Sequence, residues 1–427
     1  MVSSLQAVRL DREKINYCAS IFCCAIILAF YSFGTFGFLN LFGLRIIVQI
    51  GVFLFTSFGI VALYGYMFQK GDQYNFGSMY VILFALLYYG LAYSMTAETL
   101  FIGLVQTALM IIIFLYLFIA PKQQIDIISQ TIIMLTLLFT LMGFFAYINF
   151  LIDPFMNYNP NIYDSSIGNA TVHATSWIEY FSFTSGDGFN FFGKQITRLK
   201  GFCNEPSATI VHYLAPAALC FIYSKQYKNV GLVILLFNLV AISSLMSIII
   251  VFGSAIIYLV FLIKNKKIVY IILSGSLLML IVMMMYPDFA ESFILDMGRS
   301  LQEQISYDLI ARKNGSVTDR LMSFSIALQE WGKSPFGWSR YSTMTGLLFD
   351  SVLKGGIFIF GILVIFFLQI VKYSLIKFHE INVSISYRLG ISLVVSTIIV
   401  AFLLSSYGWE RIPGIIMLML FYRNLKE

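Results

Sequence analysis

Three charged side chains crowd the segment Arg198-Leu-Lys-Gly-Phe-Cys-Asn-Glu-Pro-Ser207: the cations Arg198 and Lys200 and the carboxylate Glu205. Pro206 suits the first turn of a helix, where its missing N–H is no loss, and Asn204 or Glu205 is then the cap. A helix start presents free N–H groups and the positive end of its dipole. With Arg198 and Lys200 beside it, the segment has the composition of a phosphate or pyrophosphate site. The same residues also make a plain capped helix with basic side chains at lipid headgroups. Glu205 is accordingly either a cap or the carboxylate best placed to act as general base on a hydroxyl.

A second constellation lies farther along. Ser316, with Asp319 three residues later, opens a helix as a capping box, and the helix ends near Gly332. Arg320 falls in its first turn, where the dipole disfavours a cation, so it either pairs with a neighbouring carboxylate such as Asp319 or awaits an anionic ligand. A turn rich in glycine and proline follows, Lys333-Ser-Pro-Phe-Gly-Trp-Ser-Arg340. It carries Trp338, and Arg340 offers the same choice between ligand and headgroup. Other chemistries lack their residues. The three histidines, His173, His212 and His379, are too scattered to suggest a zinc site or a Ser-His-Asp triad. No Walker loop is present, and Asn169-Ala-Thr171 is a glycosylation sequon of a kind common by chance.

The elements that must position these residues are membrane spans. Hydrophobic residues make up 59% of the 427 and charged residues 11%, about half the charged fraction a soluble domain needs. Twelve apolar runs read as helices, roughly 16–36, 46–67, 75–94, 98–119, 127–150, 206–223, 229–243, 246–263, 267–286, 346–371, 388–406 and 411–423. The expected fold is an all-α polytopic membrane protein with two large periplasmic loops, partly helical. Its organisation is an N-terminal bundle at 1–150, a first loop at 151–205, spans six to nine at 206–286, a second loop at 287–345 and the last spans at 346–427.

Basic residues set the orientation. Lys70, Lys122, Lys225, Lys228, Lys264, Lys266, Lys267, Lys372 and Lys377 fall on one side with both termini, against Arg45 and Arg411 on the other. Both termini are therefore expected in the cytoplasm and both long loops outside it. The basic balance reflects this rule and implies no nucleic acid. Of the five cysteines, Cys18, Cys23, Cys24 and Cys220 sit in spans and Cys203 stands alone in its loop, so no disulfide framework is expected. The first span reads as a retained anchor.

The loops are too long to be connectors. The first holds Tyr158, Tyr163, Trp177, Tyr180, Phe181, Phe189, Phe191 and Phe192, rings that stack on sugars or form an aromatic belt at the bilayer surface. In the second, Phe289, Phe293, Met297, Leu301 and Ile305 recur at helical spacing, as in a surface-lying amphipathic helix. The seventh span is only about 15 residues, and its turn carries Ser243, Ser244 and Ser247, which either floor a cavity or make an ordinary short hairpin. Span interiors read as nearly free of ionisable groups, His212 being the main exception, which speaks against an ion-coupled carrier.

Two stretches, Arg198-Leu-Lys-Gly201 with Glu205-Pro206-Ser207, and Asp319-Arg320 with Ala327-Leu328, Ser334-Pro335-Phe336-Gly337-Trp338 and Gly355-Gly356, resemble bacterial O-antigen polymerases. These belong to the superfamily of polysaccharide repeat-unit polymerases and O-antigen ligases. The hydropathy outline is similar along the whole chain, and the local motifs cover about a tenth of it. The resemblance implies transfer of a glycan from undecaprenyl pyrophosphate to the non-reducing end of another lipid-linked repeat unit, at the outer face of the bacterial inner membrane. It implies no cofactor or metal and a chain-length regulator as possible partner. It casts Arg198 and Arg320 as stabilisers of the leaving pyrophosphate and Lys200, Trp338 and Arg340 as substrate contacts. Glu205 is the candidate base. The ligases carry a histidine just before the span after the second loop. Ser342-Thr-Met-Thr345 has none, which disfavours the ligase alternative. A flippase for the same lipid-linked units is the alternative from another class.

Overall fold

The structure, a computed structural model, describes residues 12–33, 44–69, 87–88, 100–152, 158–159, 172–175, 182–184, 189–191, 194–196, 209–242, 245–263, 271, 275, 333–337, 347–380, 383–403 and 412–426. Ten α-helices run through these residues: α1 (Arg12–Ser32), α2 (Arg45–Gln69), α3 (Leu100–Ile119), α4 (Lys122–Ile152), α5 (Ala215–Tyr223), α6 (Lys228–Phe237), α7 (Leu245–Phe261), α8 (Leu347–Phe378), α9 (Ile385–Leu403) and α10 (Ile412–Lys426). A five-residue π-helix, Ile210–Leu214, leads into α5, and another, Asn238–Ile242, extends α6. The segments Glu13–Ser32, Ile46–Met67, Lys122–Phe145, Leu353–Phe378 and Ile385–Phe402 are each long and apolar enough to cross a bilayer. The protein is a helical membrane protein.

Ten of the expected spans overlap these helices, five of which are long and apolar enough to cross a bilayer. The other two, 75–94 and 267–286, fall almost wholly outside the described residues. The first long segment adds an element absent from the helix-only expectation. Tyr158–Asn159, Val172–Thr175 and Ser182–Thr184 (β1–β3) pair antiparallel, with His173 opposite Phe183, and Phe189–Phe191 pairs with Lys194–Ile196 (β4 and β5). Alternating aromatic and polar residues there, Phe189-Asn-Phe191, have the period of two that suits a strand. The amphipathic helix expected around Phe289–Ile305 lies outside the described residues.

Contacts between helices fix their directions. Gln49 on α2 donates to the Ser32 carbonyl at the end of α1 (2.8 Å), and Gly65 near the end of α2 lies against Ile15 near the start of α1, so the two are antiparallel. α4 runs parallel to α1, since Cys23 contacts Gln124 (3.0 Å) and Tyr31 contacts Thr136 (3.0 Å). The ring of Phe30 meets His212 at the start of α5, and Tyr223 at its end accepts from Gln130 of α4, so α5 runs against α4. Phe378, ending α8, packs on Phe261, ending α7, and lies under Arg388 at the start of α9. Gly390 of α9 abuts Phe221 of α5. Arg423 near the end of α10 reaches the end of α3. The starts of α1, α4 and α9 and the ends of α2, α3, α5, α7, α8 and α10 therefore share one side of the bundle. The opposite side holds the end of α4 and the starts of α5 and α8, from which the two long polar segments extend.

Small residues let these helices approach, because lipid supplies no hydrophobic force between them and packing must. Gly253 of α7 faces Ser396 of α9, whose Oγ lies 2.6 Å from where a Cβ would stand, and Ser396 donates to the Ile250 carbonyl (2.7 Å). The C-terminus of α3 shows how a helix end inside such a bundle is satisfied. Pro121 cannot continue the helix, and the freed carbonyls of Leu117, Phe118 and Ala120 accept from the Arg423 guanidinium at 2.9, 2.8 and 2.8 Å. Arg423 itself is 8% exposed.

Candidate functional site

The six residues singled out from sequence, Arg198, Lys200, Glu205, Arg320, Trp338 and Arg340, lie outside the described residues. What is described is the framework adjoining them. β5 ends at Ile196, two positions before Arg198, and the helical segment resumes at Thr209, four positions after Glu205. The second loop is described at Lys333–Gly337, ending one residue before Trp338.

The start of α5 is held from two sides. Ile210–Leu214 adopt a π-turn, a conformation often found at functional sites, and all five residues are buried. His212 packs edge-on to Phe30 (5.1 Å between centroids) and beside Tyr31 (6.3 Å). Tyr31 itself is anchored through its hydroxyl to the Ile132 carbonyl (3.2 Å) and to Thr136 (3.0 Å). The histidine is therefore a packed component of the α1–α4–α5 junction, in agreement with a structural role. The second π-turn, at Asn238–Ile242, follows Phe237, whose ring meets Tyr213 (5.6 Å) and Phe144 of α4 (5.0 Å). Lys228–Ile242 has the short length expected for the seventh span, and Ser247 beyond its turn is fully buried. Ser243 and Ser244 fall outside the described residues.

The other end of the framework is a clasp between two glycine motifs about 20 residues apart. α8 is broken at Gly356, where φ is 63° and ψ is −163°, a conformation open to glycine and costly for any side chain. The break removes the ordinary acceptor of the Ile357 N–H, and the Pro335 carbonyl takes its place at 3.1 Å. Pro335 and Phe336 form a turn closed by Gly337 N–H donating to the Ser334 carbonyl (2.9 Å), with Gly337 at φ 93°. The two backbones touch. A Cβ on Gly337 would stand 2.5 Å from the Lys354 carbonyl and 2.6 Å from Gly356 N, and one on Gly356 would fall on the Phe336 carbonyl group. Tyr88, from the third expected span, closes the clasp by donating its hydroxyl to the Phe336 carbonyl (2.6 Å). The Phe336 ring, 61% exposed, stacks on Phe358 with centroids 6.2 Å apart.

Lys354 sits two positions before the break and is only 3% exposed. It stands at the start of the span Leu353–Phe378, a buried lysine in addition to the His212 singled out from sequence. A lysine beside Gly355-Gly356 in an apolar run was the available signal. Tyr88 had none, being one tyrosine among many in an apolar segment. Among the described residues, no group of three or more His, Cys, Asp or Glu side chains comes together. The framework thus supplies an attachment for the second loop and a buried lysine beside it.

No family model, no curated protein and no solved structure matches this chain.

Proposed function

We propose that this chain is a polysaccharide repeat-unit polymerase of the bacterial inner membrane. It acts at the periplasmic face, with both termini in the cytoplasm. The observation that best supports this reading is the common side from which the two long polar segments extend, opposite the described ends at Arg12 and Lys426. A reaction between two lipid-anchored substrates needs its site at a membrane surface, and long polar segments adjoining one side of the bundle meet that need. The clasp adds support, because it joins Ser334–Gly337 to Gly355-Gly356, two of the motifs that carry the resemblance.

In the proposed reaction a hydroxyl at the non-reducing end of one lipid-linked repeat unit attacks the anomeric carbon of a glycan held on undecaprenyl pyrophosphate. The bond from that carbon to the pyrophosphate oxygen breaks, and undecaprenyl pyrophosphate departs. Arg198 and Arg320 stabilise the charge on the leaving group, while Lys200 and Arg340 hold phosphate and Trp338 stacks on sugar. Glu205 takes the acceptor proton. Pyrophosphate is already a good leaving group, so cationic side chains suffice and no cofactor is required. A chain-length regulator is the protein partner this activity would have.

The test uses the purified protein in nanodiscs with undecaprenyl-pyrophosphate-linked repeat units, a chelator and no nucleotide. A product ladder rising by whole repeat units is the expected result. Transfer to a lipid A core acceptor in place of a ladder would make it a ligase that lacks the usual histidine. Intact substrate with neither product would overturn the enzyme reading and favour a flippase.

A further inference from the structure

We infer that the turn Pro335–Gly337 is sunk into the bilayer, with the Phe336 ring lying on phospholipid acyl chains beside Phe358. The inference does not depend on the polymerase reading. Its first support is depth. On the side of the bundle where α8 ends, exposed Lys372 marks the level of the lipid headgroups. From Lys372 back to Ile357 the helix covers about 22 Å, at about 1.5 Å per residue. The hydrocarbon is about 30 Å thick, so Ile357 stands about 8 Å inside its far boundary, and any tilt of the helix only deepens it. The Ile357 N–H donates to the Pro335 carbonyl at 3.1 Å, which puts the turn at that same level.

The second support is how the turn disposes of its polar atoms. A turn in water can leave its carbonyls to the solvent, whereas irregular backbone at membrane depth must be packed on protein and paired. The Ser334 carbonyl accepts from the Gly337 N–H (2.9 Å), the Pro335 carbonyl from Ile357, and the Phe336 carbonyl from the Tyr88 hydroxyl (2.6 Å). Successive carbonyls are thus all satisfied, and Pro335 brings no N–H. Glycine lets the backbone withdraw this far from lipid. Gly337 and Gly356 are both buried at positive φ, and a Cβ on either would strike the other segment.

The third support is what the turn leaves outside. With its backbone against α8, the Phe336 side chain is 61% exposed, next to Ile357 (50%) and Phe358 (55%). Those two belong to the span Leu353–Phe378, so the medium they face is hydrocarbon. Phe336, stacked on Phe358 with centroids 6.2 Å apart, faces the same medium. Leu87, preceding the tyrosine that holds the turn, is exposed as well and continues the apolar surface.

The test uses the full chain with Phe336→p-benzoylphenylalanine, in liposomes of phosphatidylethanolamine and phosphatidylglycerol. The same replacement at Phe252, 70% exposed on α7, is the lipid-facing control. After irradiation and digestion, alkaline hydrolysis of the captured lipid should leave a fatty-acid mass on the peptide from each site, in similar yield. Capture at Phe252 but not at Phe336 overturns the inference, as does insertion at Phe336 into headgroup or glycerol alone. A covalent dimer formed from Phe336 also overturns it, because a second copy of the chain would then cover the ring.

The unaltered protein gives a second measurement, free of any effect of the larger side chain. Hydroxyl radicals generated in the aqueous phase oxidise the rings that water reaches. In the same liposomes Phe336 should be oxidised as slowly as Phe252. Oxidation of Phe336 several-fold faster than Phe252 would place the ring in water and overturn the inference.

Discussion

Replacing Arg423 with methionine tests how this bundle satisfies a buried helix end. The substitution keeps most of the apolar stem and removes the guanidinium that donates to the carbonyls of Leu117, Phe118 and Ala120. A buried acceptor left without a donor costs about 1–3 kcal/mol. Three acceptors at the lower end of that range give about 3 kcal/mol. Loss of the cation at the negative end of the α3 dipole adds about 0.3–1 kcal/mol. Arg423→Lys keeps the charge but presents a point donor where a planar fork is needed, and should lose about 2 kcal/mol. The control is Lys426→Met, one turn on, where the ammonium lies 5.4 Å from the Tyr422 ring. An exposed cation–π contact contributes under about 1 kcal/mol. Unfolding in detergent, followed by thiol labelling of buried Cys23 and Cys220, should rank the stabilities as parent, Lys426→Met, Arg423→Lys, Arg423→Met. Midpoints for Arg423→Met and Lys426→Met that coincide would refute the reasoning, because the guanidinium would then be capping nothing that water does not.

Three further outcomes are expected. Gly253→Ala places a methyl group 2.6 Å from Ser396 Oγ, pushing that hydroxyl off the Ile250 carbonyl, so a loss of about 1–2 kcal/mol should appear in the same unfolding assay. Thr140→Val replaces a buried hydroxyl that finds no hydrogen-bond partner among the described residues with a methyl group of equal size. It should be neutral or stabilising by up to about 1 kcal/mol, and a clear drop in the unfolding midpoint would show that the hydroxyl is satisfied after all. Arg198→Ala and Arg320→Ala should each abolish the repeat-unit ladder while membrane abundance stays at the parent level, and wild-type chain-length distributions from both would sink their assignment to the leaving pyrophosphate.

Much of the fold was legible because crossing a bilayer is a demand on local composition. Apolar runs such as Ile46–Met67 and Lys122–Phe145 announce themselves within a window of about 20 residues. The short strands at residues 158–196 were not read, since two to four residues of alternation are too few to distinguish from an aromatic loop. In the candidate site, Ser334–Gly337 and Gly355-Gly356 stood out as residue types, but nothing in their order said that they touch.

By itself, then, the sequence determined a helical membrane protein and the place of long apolar helices such as Ile46–Met67 and Lys122–Phe145. The tertiary structure alone decided which end of α3 Arg423 caps, that Lys354 is buried beside a helix break, and that Tyr88 reaches the Phe336 carbonyl 248 positions away. Hydropathy is written into neighbouring residues, whereas a hydrogen bond between distant segments exists only once packing has brought donor and acceptor together. Burial of the backbone then makes that pairing obligatory.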